Sequence, residues 1–283
     1  MATSSSTTDR DNQPLDAPFL RQPPPTAEEL RRCEEVIGPL KPEDWPQVDH
    51  LVTEDDTPVD NIYCEKQQRL LTQSLYDSWV GPSDGRPFIA LANVGLFYGL
   101  NRPPLVPDVL VSLDVELPVD IWTKGHRSYM IWEYGKPPEV VIELVSNTVG
   151  GEADVKLRTY ARMGVAYYIL YDPTKQLSDQ VLRVYALHPG NAAELQDVWL
   201  QGVELGLLLW QGTFEDREDT WLRWRDRDGQ MLLTGAERAD QERQRADQER
   251  QRADQERVMR QQAQQHVERL AARLRELGID PDA

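Results

Sequence analysis

The chain has 283 residues, 40% of them hydrophobic, two cysteines and a formal net charge of -17. That is enough apolar material for one or two folded domains. Two cysteines make no disulfide framework, no apolar run approaches the ~18 residues of a membrane span, and the N-terminus lacks a secretory signal's basic and apolar parts, so a cytoplasmic protein with no membrane contact is expected.

Residues 1–25 are Ser/Thr-rich and then Pro-rich (Pro23-Pro24-Pro25); such a segment buries little surface and is expected to be disordered. Thr26 and Glu29 have the spacing of a capping box, predicting a short helix over 27–37 that ends near Gly38-Pro39. A longer helix is expected from Asn61 to Trp79, where Leu71, Leu75 and Trp79 recur every four residues. Strand-like runs follow at Phe88–Val94, Asp108–Leu113, Glu139–Val145, Tyr167–Tyr171, Val181–Leu187 and Leu195–Leu200. A helix at Glu152–Met163 interrupts them, with Gly164 suited to close it. Helix, three strands, helix, strand is a mixed α/β layer order rather than a regular alternation. Residues 210–233 are dense in Trp, and Asp228-Gly229 is read as the turn of a closing hairpin whose aromatics pack on the core.

The tail is a repeat. From Arg238 it reads RADQERQ, RADQERQ, RADQER, a period of seven that returns Ala239, Ala246 and Ala253 to one helix face. Residues 236–277 hold ten arginines against nine acids, so the acidic excess lies in the body, which exerts no long-range pull on nucleic acid. Val267, Leu270, Leu274 and Leu277 add an apolar stripe through which copies of the chain could pair. The expected domains are therefore 1–25, a folded body over 26–235, and a helical tail over 236–283.

Four residues could carry chemistry. Asp108 opens the apolar run Val109-Leu110-Val111, and Glu143 sits late in Val140–Val145. A carboxylate in an apolar strand is costly unless paired or bound to a cation. A divalent ion shared by two such acids on neighbouring strands resolves their repulsion, and hard oxygen ligands with room for water suit Mg²⁺ or Mn²⁺. Lys156 and Glu65 lie on the flanking helices. Each also has a plain structural reading: a strand-start Asp, a Glu paired to a basic residue, a solvated helix Lys, and a first-turn Glu favoured by the helix dipole.

The stretches PDVLVSLDVEL and EVVIELVSNTVGGEADVKLRTYARMGVAYYILYDP, preceded by DNIYCEKQQRLLTQSLYDSW, resemble the Uma2 family of the PD-(D/E)XK nuclease superfamily over about residues 50–235. The resemblance implies a restriction-endonuclease-like α/β core with a charged helical or coiled-coil tail. Asp108 looks like the acid of the PD motif and Glu143 like that of the (D/E)-x-K motif, where the usual lysine position is Val145. The lysine function would then pass to Lys156 on the next helix. Glu65 looks like the extra helix acid, and Ser146 and Tyr160 fill supporting positions. Asp108, Glu143 and the Leu144 carbonyl would hold the metal, and the implied activity is metal-dependent hydrolysis of DNA phosphodiesters. Lys124, His126, Arg127 and Lys136 form a basic loop that could meet DNA. The alternative is a catalytically silent scaffold of the same fold acting through protein contacts and the tail.

Overall fold

A computed structural model of the chain describes residues 38–53, 61–146, 152–189 and 191–276. The expected 1–25 segment and the 27–37 helix lie outside them. The first long helix, α1, runs Ile62–Ser78, with the Asn61 side chain accepting from the Cys64 N–H at 3.0 Å to cap it. The strands are β1 (Phe88–Ala92), β2 (Leu96–Phe97), β3 (Val109–Leu113), β4 (Tyr129–Met130), β5 (Val140–Leu144), β6 (Tyr167–Tyr171), β7 (Leu182–His188), β8 (Asn191–Glu194), β9 (Trp199–Leu200), β10 (Leu205–Phe214) and β11 (Arg217–Arg225). Helix α2 spans Glu152–Met163 and α3 spans Gly235–Glu276.

Six strands form the main sheet in the order β1-β3-β5-β6-β7-β8. It is mixed: β5 and β6 are parallel, joined over the top by α2, while the β3–β5 and β6–β7 pairs are antiparallel. Every residue of β3 and β5 is buried, as expected for central strands covered on both faces. Alternation divides them. Val109, Val111, Val140, Ile142 and Leu144 pack with Leu71 and Leu75 of α1, whereas Leu110 and Val141 pack with Tyr160 and Ala161 of α2. Gly164 takes φ 93° and Val165 N–H bonds back to the Tyr160 carbonyl, which closes α2.

The Trp-rich segment is a hairpin, β10–β11, packed on α1. Trp221 and Trp224 are fully buried, and the Trp224 indole donates to the Leu71 carbonyl at 3.0 Å. Its turn is Glu215-Asp216, both at positive φ, not Asp228-Gly229. The latter makes a second, smaller turn that returns Met231 to Arg225. Of the strand expected over 195–200 only 199–200 forms, joining the hairpin, while the residues just before it, 191–194, extend the main sheet.

Helix α3 extends 42 residues and buries none of them, yet its first turn is built into the body. Thr234 and Glu237 form a capping box, the Thr234 N–H donating to Glu237 Oε2 at 2.7 Å and the Glu237 N–H to Thr234 Oγ1 at 3.3 Å. The Glu237 carboxylate takes both terminal nitrogens of Arg223, a residue with no exposed surface, at 2.9 and 2.8 Å. Asp77 of α1 accepts from the Gly235 N–H, and its carbonyl accepts from Arg238. Beyond that turn the helix is held by Arg–Asp and Arg–Glu pairs along itself. Among the described residues no helix is long and apolar enough to cross a membrane.

Candidate active site

The antiparallel register that pairs Val109 with Ile142 sets Asp108, one residue before β3, opposite Glu143. Both lie on the face covered by α2. The ends of β3 and β5 are stitched there by Asp108 itself, whose Oδ2 accepts the Leu144 N–H at 2.7 Å. Its Oδ1 accepts from Gln68 Nε2 of α1 at 2.6 Å. Gln68 is in turn fixed by a reciprocal amide pair with Asn93: Asn93 Nδ2 donates to Gln68 Oε1 at 2.6 Å, and Gln68 Nε2 shares its protons with Asn93 Oδ1 at 3.2 Å. Asn93 reaches this geometry at φ 53°, a backbone conformation that Asn tolerates better than most residues.

Glu143 is 6% exposed. Its Oε2 receives the Lys156 ammonium at 2.7 Å and its Oε1 the Tyr160 hydroxyl at 2.7 Å. Lys156 and Tyr160 are one turn apart on α2, so a single helix face supplies both donors. Burial pushes the Glu143 carboxyl up, to about 7; Lys156 pulls it down, and the Asp108 charge pushes it up again. Tyr160 is raised well above its ordinary value, first by burial and then by Glu143, so its hydroxyl keeps its proton and acts only as a donor.

The structure thus brings Asp108, Glu143, Lys156 and Tyr160 together. Ser146 sits half-buried just past β5. Glu65 is not with them. Its carboxylate accepts from Arg69 Nε at 2.9 Å, and its charged neighbours are Arg69, Glu215 and Lys66 on the outer side of α1. The α1 residue that touches the acids is Gln68, one turn further on. It falls in the apolar stripe Cys64, Gln68, Leu71, Leu75, and a polar residue at such a position needs a buried partner; that was the signal available for it. The basic loop is bound into its own surroundings. Lys124 Nζ donates to the Asp49 carbonyl at 2.6 Å, Arg127 Nε to the Trp122 carbonyl at 3.0 Å, and Lys136 Nζ to the Leu113 carbonyl at 2.7 Å. Lys124 and Arg127 line an open cleft with residues 49–53, and neither acid borders it.

A divalent cation fits the donor set. Asp108 and Glu143 lie opposite one another in register, Lys156 pairs with Glu143, and burial and the Asp108 charge both penalise the negative charge of Glu143. Among the described residues no group of three or more Asp, Glu, His and Cys gathers as a metal cage. Two acids, a backbone carbonyl and water are the kind of set Mg²⁺ accepts.

Glu143 stands near the end of β5, Asp108 lies opposite it just before the antiparallel β3, and Lys156 reaches Glu143 from the helix that joins β5 to β6. The Uma2 family model, described as "Putative restriction endonuclease", matches residues 57–210. The chain belongs to that family. A solved chain, described as a "putative nuclease" from Anabaena variabilis, matches at 15% identity with a TM-score of 0.34, covering 62% of this chain and 86% of that one. No curated protein matches the sequence.

Proposed function

We propose that the chain is a metal-dependent DNA endonuclease with Asp108, Glu143 and Lys156 as its catalytic residues. The observation that carries this is the Lys156 ammonium, 2.7 Å from Glu143. It supplies at the acids the positive charge that Val145, at the usual lysine position of the motif, cannot.

Asp108, Glu143 and the Leu144 carbonyl would hold Mg²⁺ or Mn²⁺, which when bound acidifies a water and polarises a phosphodiester oxygen. The protein's own groups do the rest. Gln68 and the Leu144 N–H fix the orientation of Asp108. Tyr160 fixes Glu143 from the protein side. Lys156, about one third exposed, reaches between the acids and solvent, where it can orient an attacking water and meet the charge that grows on the phosphate.

A second reading has an observation of its own: the net charge of -17 and the exposed apolar positions Val258, Met259, Val267 and Leu270 along α3 suit a scaffold that pairs through its helix. Plasmid cleavage with Mg²⁺ and with Mn²⁺ decides between the two. Nicking by the wild type that is lost in Glu143→Gln supports the nuclease; a wild type that leaves plasmid intact with either ion, at any protein concentration, supports the scaffold.

A further inference from the structure

The acid edge continues along the sheet. Glu143 pairs in register with Leu170 of β6, and Leu170 with Arg183 of β7. Residues directly opposite in a sheet point to the same face. Asp108, Glu143, Leu170 and Arg183 therefore form one row on the α2 side, near the end where β5 and β6 finish and β3 and β7 begin. Tyr168, Tyr185 and Leu187 pack on this same side, which fixes the parity of β7. Arg183 is half-buried and lies two strands from Glu143, roughly 10 Å at ~4.8 Å per strand.

Arg183 has the Tyr185 hydroxyl as a hydrogen-bond neighbour, which leaves most of its five donors for another acceptor. Among the described residues no carboxylate is within ion-pair distance of Arg183. The groups facing it are the Tyr168 and Tyr185 hydroxyls, with Asp154 of α2 and Glu194 of β8 around Tyr185. The Tyr168 hydroxyl is itself buried with no hydrogen-bond partner in the described structure. Burial and Glu143 both push that phenol up, and the Arg183 charge pulls it back, so Tyr168 lies within reach of both.

We propose that Arg183 binds a backbone phosphate flanking the scissile one, so that the two ends of the row Asp108–Glu143–Leu170–Arg183 mark separate contacts of the nucleic-acid strand. The row has the polarity this needs. Its acidic end takes a cation with Lys156 beside it, Leu170 is buried under α2 and only spaces the two ends, and the half-buried guanidinium at the far end offers paired donors to phosphate. It also answers how an acidic protein engages DNA: the contact cations are concentrated along the cutting edge rather than spread over the surface. The inference rests on the nuclease reading.

The test is equilibrium binding of the full chain to a labelled DNA duplex in EDTA, by fluorescence anisotropy over a salt series, for wild type, Arg183→Ala and Arg183→Lys. Each neutralised phosphate contributes about 0.9 to the slope of log affinity against log salt. Arg183→Ala should therefore bind about tenfold more weakly with a slope shallower by about one, at an unchanged Tm, and Arg183→Lys should keep the wild-type slope. An unaltered slope in Arg183→Ala, or a wild type that binds no duplex, overturns the assignment. Should Arg183→Ala lower Tm, Arg183→Lys decides: a retained slope supports it, and a slope lost in both variants with the same Tm loss marks a structural residue. Cleavage is read separately with Mg²⁺. A wild type that binds with the Arg183 signature but never cuts sinks the nuclease reading alone; one that cuts while Arg183→Ala binds normally sinks this inference alone.

Discussion

Among the described residues two ion pairs bury a charge, and they end in opposite states. At the base of α3, Arg223 is the wholly buried partner and Glu237 the partly exposed one. The guanidinium also donates to the Leu232 carbonyl at 2.7 Å and rests over the Trp210 ring. Burial alone would raise the Glu237 carboxyl, but Arg223 holds it below its ordinary value. At the sheet edge the roles reverse: Glu143 is buried and Lys156 partly exposed, and a second acid stands opposite. There the carboxyl is pushed up to about 7. One pair is complete as it stands; the other is short of positive charge. A strongly raised buried carboxyl beside a second acid marks a candidate functional position, and the proposed cation would balance it.

Breaking the complete pair should cost the fold most. Glu237→Ala leaves Arg223 buried without its anion and should lower stability by about 3–5 kcal/mol in a urea melt. Truncation belongs to the same experiment. A chain cut after Gly235 loses Glu237 and should be destabilised by a similar amount, whereas a chain cut after Gln244 keeps the whole anchor and should melt near the full-length value. Equal melts for the two truncations would show that the anchor contributes little.

Breaking the incomplete pair should cost activity instead. Lys156→Ala should lower cleavage by about two to three orders of magnitude, the usual loss for one preorganised charge stabiliser. Its melt should shift little, because Glu143 can take up a proton. Lys156→Arg should rescue only part, since a planar guanidinium is a poor substitute for a point charge. Wild-type cleavage by Lys156→Ala would remove Lys156 from the mechanism.

The pH dependence sharpens the contrast. A carboxyl with a folded value near 7 against 4.5 unfolded binds its proton more tightly in the native state, so its contribution to stability is present below pH 4.5 and is lost as pH rises towards 7. Glu143→Gln cannot ionise. Measured in EDTA, the stability of Glu143→Gln minus that of wild type should grow across that window by about 3 kcal/mol, at ~1.4 kcal/mol per unit. A difference that stays flat with pH would mean Glu143 is not strained by burial.

The smallest effect is the stabilisation by metal. Mg²⁺ that binds only the folded chain stabilises it by mass action by about 2.7 kcal/mol at a hundredfold excess over Kd, read as a rise in Tm. The shift should appear in wild type and vanish in Asp108→Asn; an equal shift in both would place the ion elsewhere.

The elements that build the edge were largely legible because each imposed a local pattern. Asp108 and Glu143 interrupt apolar runs, Lys156 and Tyr160 share a helix face, and Gly164 marks where that helix stops. Gln68 was missed because an amide carries no charge to draw notice; its membership of the stripe with Leu71 and Leu75 becomes telling only once that stripe is known to face the sheet. Glu65 was drawn in by its charge and its place at the start of α1, but α1 turns it outward to Arg69. The hairpin was misread at its turn for a related reason. Asp228-Gly229 has favourable turn chemistry, while Glu215-Asp216 has none to speak of, and strand pairing over nine residues of β11 overrides that local preference. The α3 anchor was invisible because Arg223 and Glu237 lie on either side of what reads as a boundary.

That anchor also turns the repeat into a measuring rod. A helix of 42 residues reaches about 63 Å at ~1.5 Å per residue, and its root cannot swivel without pulling Glu237 off a buried guanidinium. Its tip is therefore held at a set distance and bearing from the sheet edge that carries Asp108 and Glu143. Repeats of seven come and go as whole units, so that distance changes in strides of about 10.5 Å, and each stride rotates the tip by only ~20°. Gaining or losing one RADQERQ unit would rescale the reach of the protein while keeping the tip pointed at nearly the same side.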